Sequence, residues 1–387
     1  MRSFVAPGRV VGLDVARAVA LVAMMATHIL PDLERGDVSL SHQLAAGRAS
    51  ALFAVLAGVS IALMTGRTTP HRGRQRLATS AGLAVRALII TAVGLFLTGA
   101  DHDIAVILHY YGLLFLLALP FIGLRARPLL ALAAAWSVVV PALSHLARPH
   151  LPEPALGAPP VGDPLLLLSE LTLTGYYPAL PWLTYLFVGM AVGRLDLARA
   201  RTSLTLVVVG AWLAVMSWAA SAALVDRPEV RRALLENYEG PGSNLLLEVT
   251  LDRGFYGTTP TGTWWWLAVD TPHTATPFDL AHTIGTSLVA IGLAVLGARV
   301  LPQVWGVLFG AGTMTLTLYS AHVIARSDGW WDGDDAETYL GQVVAVLVVG
   351  AVYALTRARG PLERVVVAVQ QATVRAVSRA EAPPSPR

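Results

Sequence analysis

A chain of 387 residues that is 55% hydrophobic and only 14% charged, with a mean hydropathy of +0.60, cannot be a soluble globular protein; such proteins carry roughly 25% charged residues. The lack of cysteine excludes disulfides, thiolate metal sites and a thioester-forming nucleophile. A net charge of +3 gives no reason to expect a nucleic-acid partner, and the use of Arg alone for all 28 basic residues reads as the mark of a GC-rich, bacterial genome.

Windows of about 20 apolar residues predict an all-α, polytopic integral membrane protein of about ten transmembrane helices, at 11–30, 44–65, 81–98, 104–122, 128–146, 178–194, 202–225, 279–298, 303–325 and 338–356. No cleavage site of the A-x-A type follows the first apolar run, so it is expected to be retained. With the N-terminus inside, the inner segments hold eighteen Arg against three acids (Asp196, Glu363, Glu381), while the outer ones hold seven Arg and most of the carboxylates. The positive-inside rule then puts both termini in the cytoplasm, and the expected location is the plasma membrane, with the lipid bilayer as first partner. The expected organisation is one transmembrane domain, 1–356, comprising 11–225, an outer loop at 226–278 and C-terminal helices at 279–356. A tail at 357–387 would form a short amphipathic inner-surface helix and then disorder.

The first span carries three ionisable groups, Asp14, Arg17 and His28. Arg17 and His28 are eleven residues apart, three helical turns plus about 20°, so they share one stripe about 16 Å long. Ionisable side chains inside a membrane are costly and usually face a protein interior or a water-filled cavity. Asp14 and Arg17 stand at i, i+3 and can pair; an Arg near the inner surface also suits a phosphate-bearing cytosolic ligand. His28, at the outer end, could be ordinary interfacial lining or a proton-transfer group. A short outer connection then brings His42 to similar depth, and Arg48 follows about a turn and a half further in, able to snorkel or to hold an anion.

Arg86, early in the third span, is a second candidate for phosphate contact, and His109 near the outer end of the fourth is either a satisfied buried histidine or part of a cavity. The outer loop 147–177 is rich in Pro and Gly and is expected to be an extended cover. The loop 226–278 holds a polar, helix-like piece and then Trp264-Trp265-Trp266, read as an interfacial anchor or a sugar-stacking platform. The ninth span sets Thr315, Tyr319 and His322 on one face, as helix glue or as a cavity wall. No HxxxH or His/carboxylate cluster occurs in a span, so no metal is expected. No internal repeat with a matching pair of broken helices is visible, which weakens a transporter reading.

The segment GLDVARAVALVAMMATH resembles the opening helix of the transmembrane acyltransferase superfamily, and its Arg17-x10-His28 spacing is that of the acyltransferase-3 family. The text around it is more similar to the heparan-α-glucosaminide N-acetyltransferase-like and YeiB-like branch, through LFAVLAGVS (52–60), LHYYG (108–112), PWLTYLFVGMAVGR (181–194), MTLTLYSAH (314–322) and GPLER (360–364). This resemblance spans nearly the whole chain and implies transfer of an acyl, chiefly acetyl, group. The donor would be cytosolic acyl-CoA, a co-substrate. The acceptor would be a hydroxyl or amine, commonly of a glycan, on the other side of the membrane.

It further implies CoA phosphates docked against Arg17, paired with Asp14, and Arg86, with the Arg cluster at 67–76 as a further contact, and catalysis by His28 and His42. Arg48, His109, Tyr319 and His322 would line the cavity. Two departures stand out. Heparan-type enzymes tend to have Asn where this chain has His28, with the catalytic His in the following outer loop, here His42; and Arg48 lies near where they tend to have an acid. A homodimer stays open. So do a small-solute transporter or export channel using the same polar stripe, and an inactive scaffold.

Overall fold

The computed structural model of the chain describes residues 9–100, 104–155, 160–238, 244–327 and 335–380. In order, the helices are α1 (Val11–Ile29), α2 (Leu40–Ala45), α3 (Arg48–Met64), α4 (Gly73–Thr98), α5 (Leu108–Ala118), α6 (Ala126–Ala147), α7 (Pro164–Ser169) and α8 (Ala179–Gly193). They continue with α9 (Ala200–Val225), α10 (Pro228–Glu236), α11 (Asn244–Arg253), α12 (Pro277–Gly297), α13 (Pro302–Leu308), α14 (Thr315–Ala325), α15 (Asp335–Thr356) and α16 (Pro361–Ala380). The protein is thus an all-α polytopic membrane protein. Among the described residues seven helical stretches are long and apolar enough to cross a bilayer: α1, Leu40–Met64, α4, Ala126–His150, α9, α12 and α15. The strands described are one two-residue pair, Leu33–Glu34 with Asp37–Val38, closed by Arg35 and Gly36 at φ 57° and 95°. Two successive positive φ values are what a tight hairpin turn needs, so the connection between α1 and α2 is a folded hairpin.

Glycine sets how closely the helices approach. A Cβ on Gly58 of α3 would lie 2.4 Å from the Leu186 carbonyl oxygen of α8, and one on Gly189 would lie 2.0 Å from the Val55 carbonyl oxygen of α3. Such small-residue contacts let membrane helices touch along their backbones. The face of α9 carrying Leu204, Val208, Trp212 and Val215 is exposed apolar surface, as a lipid-facing helix requires.

Helix lies over each predicted span, with one correction. The ninth, 303–325, is not one helix: α13 ends at Leu308, a 3-10 turn runs over Gly310–Thr313, and α14 starts afresh at Thr315. Gly312 sits so close to α1 that a Cβ would come within 1.8 Å of the Asp14 carbonyl oxygen. The new N-terminus of α14 is capped by Glu363, whose carboxylate accepts the Leu316 and Thr317 amides at 2.8 and 3.1 Å and the Thr317 hydroxyl at 2.5 Å. Four orphan amides at a helix start favour such an anion, so the tail motif GPLER completes the broken helix.

The loops need correction too. The loop 147–177, expected to be an extended outer cover, contains α7 and a π-helical turn at Glu170–Thr174. Of the three tryptophans, Trp264 and Trp265 are partly exposed, but Trp266 is fully buried in a satellite core with Val230, Leu234, Leu247 and Val269. The loop 226–278 is therefore a folded cap with its own core, built on α10 and α11. In the tail, α16 continues to Ala380, packed across α4 where Val374 meets Gly82; the expected disorder beyond it lies outside the described residues.

Arg194, which closes the PWLTYLFVGMAVGR motif, staples the opposite end of the molecule. It donates to the carbonyls of Ala62, Thr65, Arg67, Ile122 and Leu124 at 2.5–3.3 Å, satisfying carbonyls that the end of α3 leaves without helical partners. The start of α1, the end of α3, the start of α4 and α16 all gather on this side, so both ends of the helical bundle face one way. A cytoplasmic assignment predicts opposite reporter signals from fusions at Gly73 and at Gly262 in the cap; the same sidedness at both would overturn it.

Candidate active site

The stripe on α1 is built as an ion-pair cluster at one end and a histidine pair at the other. Asp14 is buried and accepts from Arg9 at 2.7 Å and from Arg17 at 2.9 Å. Arg17 also donates to the Ser60 hydroxyl of α3 at 2.8 Å. Two cations on one buried carboxylate neutralise it and leave net positive charge, with donors still to spare on the Arg17 guanidinium.

Above this cluster a cavity of about 130 Å³ runs between α1, α3, α4, α5 and α14. Arg17, Ser60, Arg86 and Thr315 lie on its wall, with Met24, Ile107, Tyr111 and Tyr319 among the others. Arg86 makes no hydrogen bond or ion pair among the described residues, its Nε is buried without a partner, and it feels the charges of Arg17 and Glu363. A wider basin of about 740 Å³ opens at the loop between α3 and α4, lined by Leu63, Met64, Arg67, His71, Arg72 and Gln75 among others. On α3, Met64 is about one turn from Ser60, so basin and cavity adjoin along one helix. In that loop His71 bonds the Thr79 hydroxyl at 3.0 Å, and burial, then the Arg194 charge, lowers its pKa.

His28 and His322 stand roughly one turn beyond the cavity-lining Met24 and Tyr319 on their own helices. His28 Nδ1 lies 3.0 Å from His322 Nε2, with the ring planes 9° apart and the centroids at 5.3 Å, so the rings meet edge to edge. His322 Nδ1 lies 2.7 Å from Oε1 of Gln342 on α15. With the Gln342 amide oxygen turned to the ring, His322 donates from Nδ1 and its Nε2 accepts from His28 Nδ1–H; in that tautomer the lone pair of His28 falls on Nε2. The chain His28–His322–Gln342 has the logic of a base oriented by a second group, itself oriented by a third.

His28 and His42, expected at similar depth near one mouth, take different partners: His28 meets His322, whereas His42 turns to the cap. His42 Nε2 donates to the Arg253 carbonyl at 2.6 Å, leaving its lone pair on Nδ1. Next to it, Gly47 N–H donates to His273 Nε2 at 3.1 Å; burial, then the charge of His42, pushes His273 down to about 3, so it stays a neutral acceptor. Arg48, open in the sequence between snorkelling and holding an anion, is engaged by protein partners. Its Nε and Nη2 point at His282 Nε2 of α12, 3.2 and 3.0 Å away, and Nη1 donates to the Gln43 carbonyl. His109 is buried against Tyr110, off the cavity wall, with Nδ1 unpartnered.

The structure thus brings Arg17, Arg86 and Tyr319 to one cavity and joins His28 to His322 above it, with His42 and Arg48 on the cap side. Sequence reasoning missed Ser60, Gln342, His282 and Asp270; for the last two a signal existed, since DTPHTATPFDLAH sets two Asp and two His within one short stretch. Among the described residues no group of three or more His, Cys, Asp or Glu is placed to hold a metal ion.

No curated protein matches the chain. Residues 9–225, from the Arg9–Asp14 cluster to the end of α9, match the family described as heparan-alpha-glucosaminide N-acetyltransferase, catalytic. With more than half its length in that match and an all-α membrane body around it, the chain belongs to the heparan-α-glucosaminide N-acetyltransferase family of transmembrane acetyltransferases.

Proposed function

We propose that the protein moves an acetyl group from cytosolic acetyl-CoA to a hydroxyl or amine, on a glycan, at the other face of the bacterial plasma membrane. One observation carries this reading: a cavity has Arg17 and Arg86 on its wall, and the His28–His322 pair stands about one helical turn beyond its Met24 and Tyr319 end. The CoA phosphates would sit over the basin at 66–75 and against the two guanidiniums, which bind phosphate oxygens in a fork. The narrow cavity would take the pantetheine arm, about 16 Å of α1 separating Arg17 from His28. His28 Nε2 would then accept the proton of the acceptor as its oxygen or nitrogen attacks the thioester carbonyl. The C–S bond breaks as the new bond forms, and the proton passes from His28 to the departing CoA thiolate. His322 and Gln342 hold the ring in the required tautomer, and His42 assists from the cap side.

The competing reading, a small-solute transporter or export channel, draws on the break between α13 and α14, since interrupted helices line transport sites. The described break is closed by Glu363 and by Gly312 against α1, which favours a fixed wall. Calorimetric titration of the purified protein with CoA separates the two. Saturable binding, followed by thiol release from acetyl-CoA when glucosamine is supplied as a probe acceptor, is the expected result. No binding at millimolar CoA would overturn the acetyltransferase reading.

A further inference from the structure

The segment that carries His42 is held to the outer cap by side chains that the transfer chemistry does not use. Helix α2 is six residues long and exposes Leu40 and Leu44, and so short a helix has little stability of its own. The Ser39 cap joins it to the hairpin, with its hydroxyl receiving the His42 amide at 3.3 Å. Towards its C-terminal end the fastenings come from far along the chain. His273 accepts the Gly47 amide, and Arg48 bridges the Gln43 carbonyl to His282. His282 lies with Nδ1 3.2 Å from Asp270 Oδ2, within ion-pair reach, and both side chains are largely buried. Arg48 presents N–H donors to His282 Nε2, which must then carry the lone pair, so the ring proton lies on Nδ1, beside the Asp270 carboxylate but not aligned on it as a hydrogen bond. Carboxylate, imidazole and guanidinium form a row that ends on the backbone one residue after His42.

We propose that Arg48, held by His282 and Asp270, is a positioning residue that fixes the His42 turn against the cap and so sets where His42 meets the acceptor. The assignment deepens the proposed function and rests on it for the catalytic consequence, though not for the mechanical one. A guanidinium suits the task because its planar fork reaches two acceptors at once, which a lysine ammonium on a flexible stem does less well. A group displaced by about 1 Å can lose about 100-fold in rate, so a latch acting on backbone next to His42 matters without touching substrate.

The test has a mechanical arm and a catalytic arm. Since the chain has no cysteine, Leu44→Cys gives a single spin-label site on α2, and Phe96→Cys, at the exposed end of α4, gives a control. Arg48→Gln is expected to sharpen the spectrum at position 44 and leave that at 96 unchanged. Asp270→Asn, which keeps Arg48 and the Gln43 contact, should do the same to a smaller extent, and covers the case in which Arg48→Gln does not fold. An unchanged spectrum at 44 in either folded variant overturns the latch, whether or not the protein turns over acetyl-CoA. In the catalytic arm, Arg48→Gln should lower kcat by up to about 100-fold with the KM for acetyl-CoA unchanged. Combined with His42→Ala it should cost no more than the worse single change; fully additive losses would show that Arg48 acts by another route.

Discussion

His28→Ala is expected to abolish acyl transfer while CoA binding survives, whereas His42→Ala leaves a measurable rate. Removal of a positioned general base typically costs about 10²–10⁴-fold. The ranking rests on how each ring is held. His28 stands on a long membrane helix whose other end carries Arg17, so donor phosphate and base are fixed by one rigid element. Its ring is oriented by His322, and His322 by Gln342, all on packed helices. His42 stands on a six-residue helix whose place depends on the cap. Steady-state rates with binding by titration give the answer. The reverse ranking would put the base on the outer turn and reduce His28 to polar lining. The same logic gives His322→Phe a smaller loss than His28→Ala, because His28 keeps its place on α1 when only its partner is gone.

What was legible beforehand follows from what is local. The α1 stripe comes from helix period alone, and the Asp14–Arg17 pair at i, i+3 forms as that spacing allows. Arg86 and Tyr319 fall on the cavity because depth along a span follows from the hydropathy window. Partner choice did not follow. His28 and His322 are 294 positions apart, and their meeting depends on how α14 packs on α1, which no periodicity encodes. The pairing of Arg48 with His282 has the same origin. The break in the ninth span had a sequence sign, FGAGTM after Pro302, that the strong hydropathy of the whole window outweighed. Nor could three consecutive tryptophans reveal that one ring folds inward, since a cap with its own small core gives only a weak apolar pattern.

Arg86→Met is expected to raise thermal stability and at the same time weaken CoA binding. Asp14 takes Arg9 and Arg17, while Arg86 has no hydrogen-bonded partner among the described residues, and the repulsion of Arg17 outweighs the attraction of Glu363 on it. A guanidinium partly withdrawn from water, with a buried unpartnered Nε, is a standing cost to the fold. A thioether chain would fill much of the same volume without it. If the cost is kept because a phosphate completes the site, the replacement must lose one charged hydrogen bond to that phosphate. That loss is about 1.5–3 kcal/mol, or roughly 10–150-fold in Kd. Arg17→Met should weaken CoA binding to a similar degree but lower the melting temperature, because it leaves Asp14 buried with Arg9 alone and strips the Ser60 hydroxyl of its donor. Thermal unfolding in detergent with and without CoA, for both variants, reads the two effects separately. If Arg86→Met bound CoA as the unaltered protein does, the two-arginine phosphate site would be wrong. If it melted lower, Arg86 would be serving the fold and not the ligand.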